Sequence, residues 1–98
     1  MWIGTVEFDF LLGDVHSLKE KRSVVRPLVA EIRRKFDVSV AETDHRDLHR
    51  RAGVGVAVVS ADRQHVVEIV ESVERHAASR PEVQLLSART RYVSSEDL

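Results

Sequence analysis

Ninety-eight residues with no cysteine and a net charge of -1 make a single domain whose stability rests on one apolar core, because disulfides and thiolate metal sites are unavailable. No apolar run approaches the ~20 residues that a membrane-spanning helix needs. The N-terminus meets Glu7 and Asp9 early and shows no basic stretch leading into an apolar one, which points to a cytoplasmic protein with no membrane partner.

Residues 1–12 predict a strand, since Trp2, Val6, Phe8, Phe10 and Leu12 recur at even positions with Thr5, Glu7 and Asp9 between them. Ser17 and Glu20 have capping-box spacing, so a helix is expected over residues 17–36 with Val25, Leu28, Val29, Ile32 and Phe36 on one stripe. Pro27 lacks a backbone donor and crowds the carbonyl of Ser23, which predicts a bend or a broken turn on the solvent side. A second strand is expected over 38–44 and a third over 54–60, joined by the polar segment DHRDLHRRAG. Asp62 is placed to cap a second helix whose buried stripe is Val66, Ile69, Val70, Val73 and Ala77, with Glu71 and Arg75 spaced to pair outside. Pro81 ends that helix, residues 83–93 predict a fourth strand, and 94–98 read as a flexible polar tail.

The order βαββαβ predicts an α+β ferredoxin-like fold spanning residues 1–98. Right-handed crossovers put both helices on one face of a four-stranded antiparallel sheet. The other face is left open, with Thr5, Glu7, Asp9, Gly55, Ala57 and Val59 on its central strands. None of these is aromatic and two are acidic, which argues against stacking RNA bases there. If Leu86, Ala88 and Tyr92 are the buried set of the fourth strand, Arg89 and Arg91 stand beside Glu7 and Asp9. The small residues leave room for a second protein surface, so a homodimer through this face or through an edge strand is an expectation.

Charge is distributed unevenly: residues 16–36 carry seven Lys and Arg against two Glu. Lys19, Arg22, Arg26 and Arg33 fall on one stripe beside the apolar face, and Lys21, Arg34 and Lys35 extend the positive field. Clustered positive charge of this kind suits phosphate, whereas base-specific readout calls for amides and aromatics that are scarce here. The turn that follows holds Asp44, His45, Asp47 and His49, with the two histidines at the i, i+4 spacing that converges on a metal if the segment is helical. Arg46, Arg50 and Arg51 are interleaved and repel a cation, so no metal is assigned; the structural alternative has Asp47 capping a short helical turn over 48–52. His16, His65 and His76 fall on predicted loop or helix surfaces and receive no role. No Gly-rich phosphate loop, GxSxG elbow or Ser/His/Asp order occurs, and no catalytic residue or cofactor is assigned.

The runs SLKEKR, VRPLVAEIRRKF, VSVAE and HRDLHRRA resemble the YlxP-like family of small bacterial proteins, a domain of unknown function numbered 503, over nearly the whole length. Similar proteins usually read HQDL in the turn, with glutamine where Arg46 stands and often another near Arg50. The resemblance implies, through gene neighbourhood, an accessory role in ribosome maturation or translation. The first functional reading is therefore a non-enzymatic binding module acting through Lys19, Arg22, Arg26, Arg33, Arg46, Arg50 and Arg51, with ribosomal RNA or a ribosome-associated protein as partner. Metal-dependent hydrolysis at the Asp44–His49 turn is the second, and a structural dimeric or ligand-sensing module the third.

Overall fold

The computed structural model describes residues 1–98. Its elements follow as β1 (Trp2–Leu12), α1 (Leu18–Phe36), β2 (Ser39–Asp44), β3 (Arg51–Ser60), α2 (Arg63–Ala78), β4 (Val83–Ser94) and a short 3-10 turn, Ser95–Asp97. The four strands form one antiparallel sheet in the order β2-β3-β1-β4, the ferredoxin-like arrangement that the element order predicts. β1 and β3 are central because each βαβ unit leaves its helix on the same side, and α2 packs across β1, β3 and β4 while α1 packs on β2 and α2.

The even residues of β1 and the stripes of both helices make one core. Val6, Phe8, Phe10 and Leu12 meet Val25, Leu28 and Ile32 of α1 and Val66, Val70 and Val73 of α2, all buried. Gly4 lets α2 approach the sheet this closely, since a Cβ there would stand 2.3 Å from Val66 Cγ1 and 3.0 Å from Val70 Cγ2. Ser17 caps α1 by accepting from the Glu20 N–H at 3.1 Å, and the Glu20 carboxylate reaches back to the His16 N–H at 3.2 Å. Asp37 closes the helix in the left-handed region, φ 52, donating its N–H to the Arg33 carbonyl. Asp62 accepts from the Gln64 N–H at 3.1 Å and caps α2 as expected.

Several expectations are corrected. The helix runs unbroken through Pro27, so no turn is broken there, and both Pro27 and Ser23, whose carbonyl the proline leaves without its helical donor, are exposed on the solvent side. β3 begins at Arg51 rather than at residue 54, because β1 is long enough to pair Phe10 with Ala52 and Leu11 with Arg51. An irregularity between Asp9 and Phe10 shifts the β4 register, pairing Phe10 with Leu85 and Asp9 with Ser87. Leu86 is the extra residue, so it is 44% exposed and Leu85 takes the inward position assigned to it. Arg89 stands opposite Glu7, 3.5 Å away, but Arg91 stands opposite Thr5 rather than Asp9. The Glu71–Arg75 pair is absent; Arg75 donates to Ser72 Oγ at 3.0 Å instead. The end of the chain is tied down: the Ser95 N–H donates to the Met1 carbonyl at 2.8 Å and Ser94 caps the final turn through the Glu96 N–H.

Candidate functional site

α1 lies along the edge strand β2 and leaves a groove of about 410 Å³ between them. Its apolar lining is Val25, Val29, Val40 and Ala41, its cationic lining is Lys21, Arg22, Arg26, Arg33 and Arg46, and one carboxylate, Glu42, which faces Lys21, also lines it. The helix supplies three of these arginines because positions 22, 26 and 33 flank the buried stripe of 21, 25, 28 and 32. Arg33 also donates from Nη2 to the Val40 carbonyl at 2.6 Å, which closes one acceptor on the sheet edge. Arg22, Arg26 and Arg46 form no ion pair with any carboxylate of the chain, whereas Arg51, Arg80 and Arg89 do.

Arg46 arrives from the turn after β2, and a buried lysine puts it there. Lys21 is only 2% exposed. Its Nζ donates to the His45 carbonyl at 2.6 Å and lies 3.0 Å from Glu42 Oε2. The end of β2 and the turn are thereby clamped beneath the first turns of α1. This corrects the expectation that Lys21 belongs to the surface field. The signal for it was present in the sequence: Lys21 stands four residues before Val25 on the stripe that continues through Leu28 and Ile32. A charge in that stripe is buried only with partners, and here the partners are a backbone carbonyl and a carboxylate.

The remaining predicted basic residues are drawn elsewhere. Lys19 is exposed on α1 outside the groove. Arg50 donates from Nε to the carbonyls of Gly13 at 2.8 Å and Leu12 at 3.3 Å, fastening the turn to the end of β1. Arg51 points to the open sheet face and forks onto the Asp9 carboxylate, with Nε 3.1 Å from Oδ1 and Nη2 on Oδ2.

The Asp/His turn is not helical, so Asp47 caps nothing and His45 and His49 do not converge. His45 takes the left-handed conformation, φ 57; its N–H donates to Asp44 Oδ1 at 2.8 Å and its carbonyl accepts from the Leu48 N–H at 3.0 Å. Its Nε2 stands 3.7 Å from Asp9 Oδ1 and 3.9 Å from Asp44 Oδ2, in a polar cleft of about 300 Å³ on the open face that also involves Glu7 and Arg89. Asp47 and His49 are exposed. No group of three or more His, Asp or Glu side chains has an arrangement that holds a metal ion. Gly53 fits this corner because a Cβ there would stand 2.6 Å from Asp44 Cβ, where β2 bulges against β3.

A second polar cluster joins the helices. His76, given no role on the sequence, has a side chain only 9% exposed, with Nε2 3.2 Å from Glu31 Oε1 and its ring edge-on to Phe36. Arg80 bridges Glu31 at 3.1 Å and Glu82 at 2.8 Å. Burial disfavours the Glu82 charge, but its own backbone hydrogen bond and Arg80 outweigh burial and hold the carboxyl below its ordinary value of 4.5. Burial pushes the Tyr92 hydroxyl above its ordinary value of 10.0, with Arg63 lying over the Tyr92 and Trp2 rings. None of the residues of this cluster or of the aromatic corner lines the groove. No helix is long and apolar enough to cross a membrane.

Known proteins resemble this chain in sequence or in fold. The chain is similar to the uncharacterized protein YlxP of Bacillus subtilis (strain 168), 32% identical over 90 residues, covering 92% of this chain and 98% of that protein. Among solved structures, the solution structure of a de novo designed protein with ferredoxin fold matches with a TM-score of 0.58 at 15% identity, over 97% of this chain and 88% of that one. That likeness bears on the fold alone. The family described as "Protein of unknown function (DUF503)" matches residues 3–90, and with that span and the YlxP identity the chain belongs to this family.

Proposed function

We propose that the protein is a non-enzymatic, cytoplasmic binding module that engages a phosphate backbone, that of ribosomal RNA, in the basic groove between α1 and β2. The observation that carries this reading is the convergence of Arg22, Arg26, Arg33 and Arg46 on one groove in which none of them has a carboxylate partner and only Arg33 is held, by the Val40 carbonyl. From position 22 to position 33 the helix advances about 16 Å at about 1.5 Å per residue. That length corresponds to about five nucleotide steps of a stacked strand at about 3.4 Å each. The groove offers charge and a narrow apolar floor but no aromatic platform, so contacts fall on phosphate and sugar rather than on base edges. The link to the ribosome rests on the family resemblance, and the groove supplies chemistry compatible with it.

Salt dependence tests the reading. Four phosphate contacts to a single strand predict a log–log slope of about -2.8, so a fourfold rise in salt weakens binding about fifty-fold. Fluorescence anisotropy with a labelled ribosomal RNA fragment reads this slope directly. A slope near zero, or no binding at low salt, would remove RNA as the partner.

A further inference from the structure

Across its two middle rows the open sheet face is divided lengthwise into a half that carries the long side chains and a half with short ones, while Arg51 of β3 lies beyond these rows on Asp9. Strand pairing sets the rows: Ser39, Ala57, Thr5 and Arg91 stand abreast from β2 to β4, and Ala41, Gly55, Glu7 and Arg89 form the next row. On the β2 and β3 side every residue in both rows is small; on the β1 and β4 side stand the glutamate and both arginines. The shallow depression over the small half measures about 490 Å³ and is bounded by Thr5, Glu7 and Arg91. Gly55 keeps it open, since a Cβ there would already press on Thr43 Cγ2 at 2.9 Å. One end of the face is apolar, where Ile3 stands between Val59, 60% exposed, and Val93.

We infer that this face docks against the same face of a second copy of the chain, about a two-fold axis parallel to the strands and running between β1 and β3. Only that axis lays the long half of each copy over the short half of the other while keeping apolar end on apolar end. Glu7 then lies over Gly55 of the second copy, Thr5 over Ala57, and Arg91 over Ser39. An in-plane axis across the strands sets the Ile3 and Val59 end against Glu7 and Asp9, which the desolvation of those charges disfavours. Charge is compatible with self-pairing, because Asp9 is held by Arg51 and Glu7 lies 3.5 Å from Arg89 within each copy. Four strands about 4.8 Å apart and about eight residues long make a face about 19 Å by 27 Å. Once roughened by side chains, its accessible area is of the order of the roughly 800 Å² per partner that stable dimers bury. The basic groove lies on the other side of β2, so the dimer carries two grooves facing outward.

Sedimentation equilibrium over a dilution series tests the inference on the full chain. The wild type is expected to sediment as a dimer at high micromolar concentration. Val59→Arg and Ser39→Arg, both at exposed positions, should give folded monomers by circular dichroism. Ser39→Glu, which meets Arg91 of the second copy, should keep the dimer. A monomeric wild type overturns the inference. So does a dimer that survives both arginine variants, as edge-strand pairing would, or a loss of dimer that is equal for Ser39→Glu and Ser39→Arg.

Discussion

Replacing Lys21 by methionine keeps the length and apolar stem of the side chain and removes its charge, which isolates what the buried ammonium contributes. Breaking a buried pair by removing one partner costs about 3 to 5 kcal/mol when the stranded charge is fully buried. The Glu42 side chain is 25% exposed, so part of it stays in contact with solvent although the Oε2 that faces Lys21 is buried, and the His45 carbonyl keeps the Leu48 N–H at 3.0 Å. The expected loss is therefore lower, about 2 to 3 kcal/mol, within the range for leaving a partly buried polar group short of a partner. For a domain of this size that corresponds to a drop of about 10 to 20 °C in Tm. Urea denaturation should show a lower midpoint with an unchanged slope. Adding Glu42→Gln to Lys21→Met removes the stranded charge and should recover part of the loss, with a coupling of about 0.5 to 3 kcal/mol in the double-mutant cycle. If Lys21→Met costs no more than the ~0.5 kcal/mol of an ordinary surface change, the lysine is not the clamp described and the placement of Arg46 needs another cause.

Gly4→Ala should destabilise by about 1 to 3 kcal/mol through overpacking against the stiff Val66 side chain, while Gly13→Ala, whose Cβ meets nothing within 4 Å, should change thermal stability by no more than about 0.5 kcal/mol. Equal effects at the two glycines would mean that α2 does not approach the sheet as closely as described. Because the folded-state pKa of Glu82 is lowered, the stability it contributes is present above its ordinary value of 4.5 and is lost as pH falls through the lower folded value. Glu82→Gln should accordingly be less stable than wild type at neutral pH, with the difference closing in acid; a difference constant across that range contradicts the role given to Arg80.

The fold was legible because its signals are local and agree with one another. Ser17 and Glu20 mark the start of α1, Asp62 the start of α2, and the even residues of β1 mark its buried face. What escaped depends on long-range register. The β4 bulge that turns Leu86 outward and the extension of β3 back to Arg51 follow from pairing with β1, which no local pattern in either segment encodes. Among the site residues, Arg22, Arg26 and Arg33 could be placed by helical spacing alone. Arg46, Arg50 and Arg51 are neighbours in sequence yet point to the groove, the end of β1 and the open face, because the turn reverses at His45 and β3 then alternates its side chains.

Charge reversal in the groove tests the central claim most directly. The triple variant Arg22→Glu, Arg26→Glu and Arg46→Glu changes only exposed side chains without internal partners and leaves Arg33 bound to the Val40 carbonyl. It should remain folded, judged by circular dichroism and urea denaturation. Co-sedimentation with ribosomes and anisotropy with ribosomal RNA should both fall to background, whereas Arg89→Ala on the open sheet face should bind as wild type does. A folded triple variant that binds at wild-type affinity contradicts the account and leaves these arginines as a solvated surface.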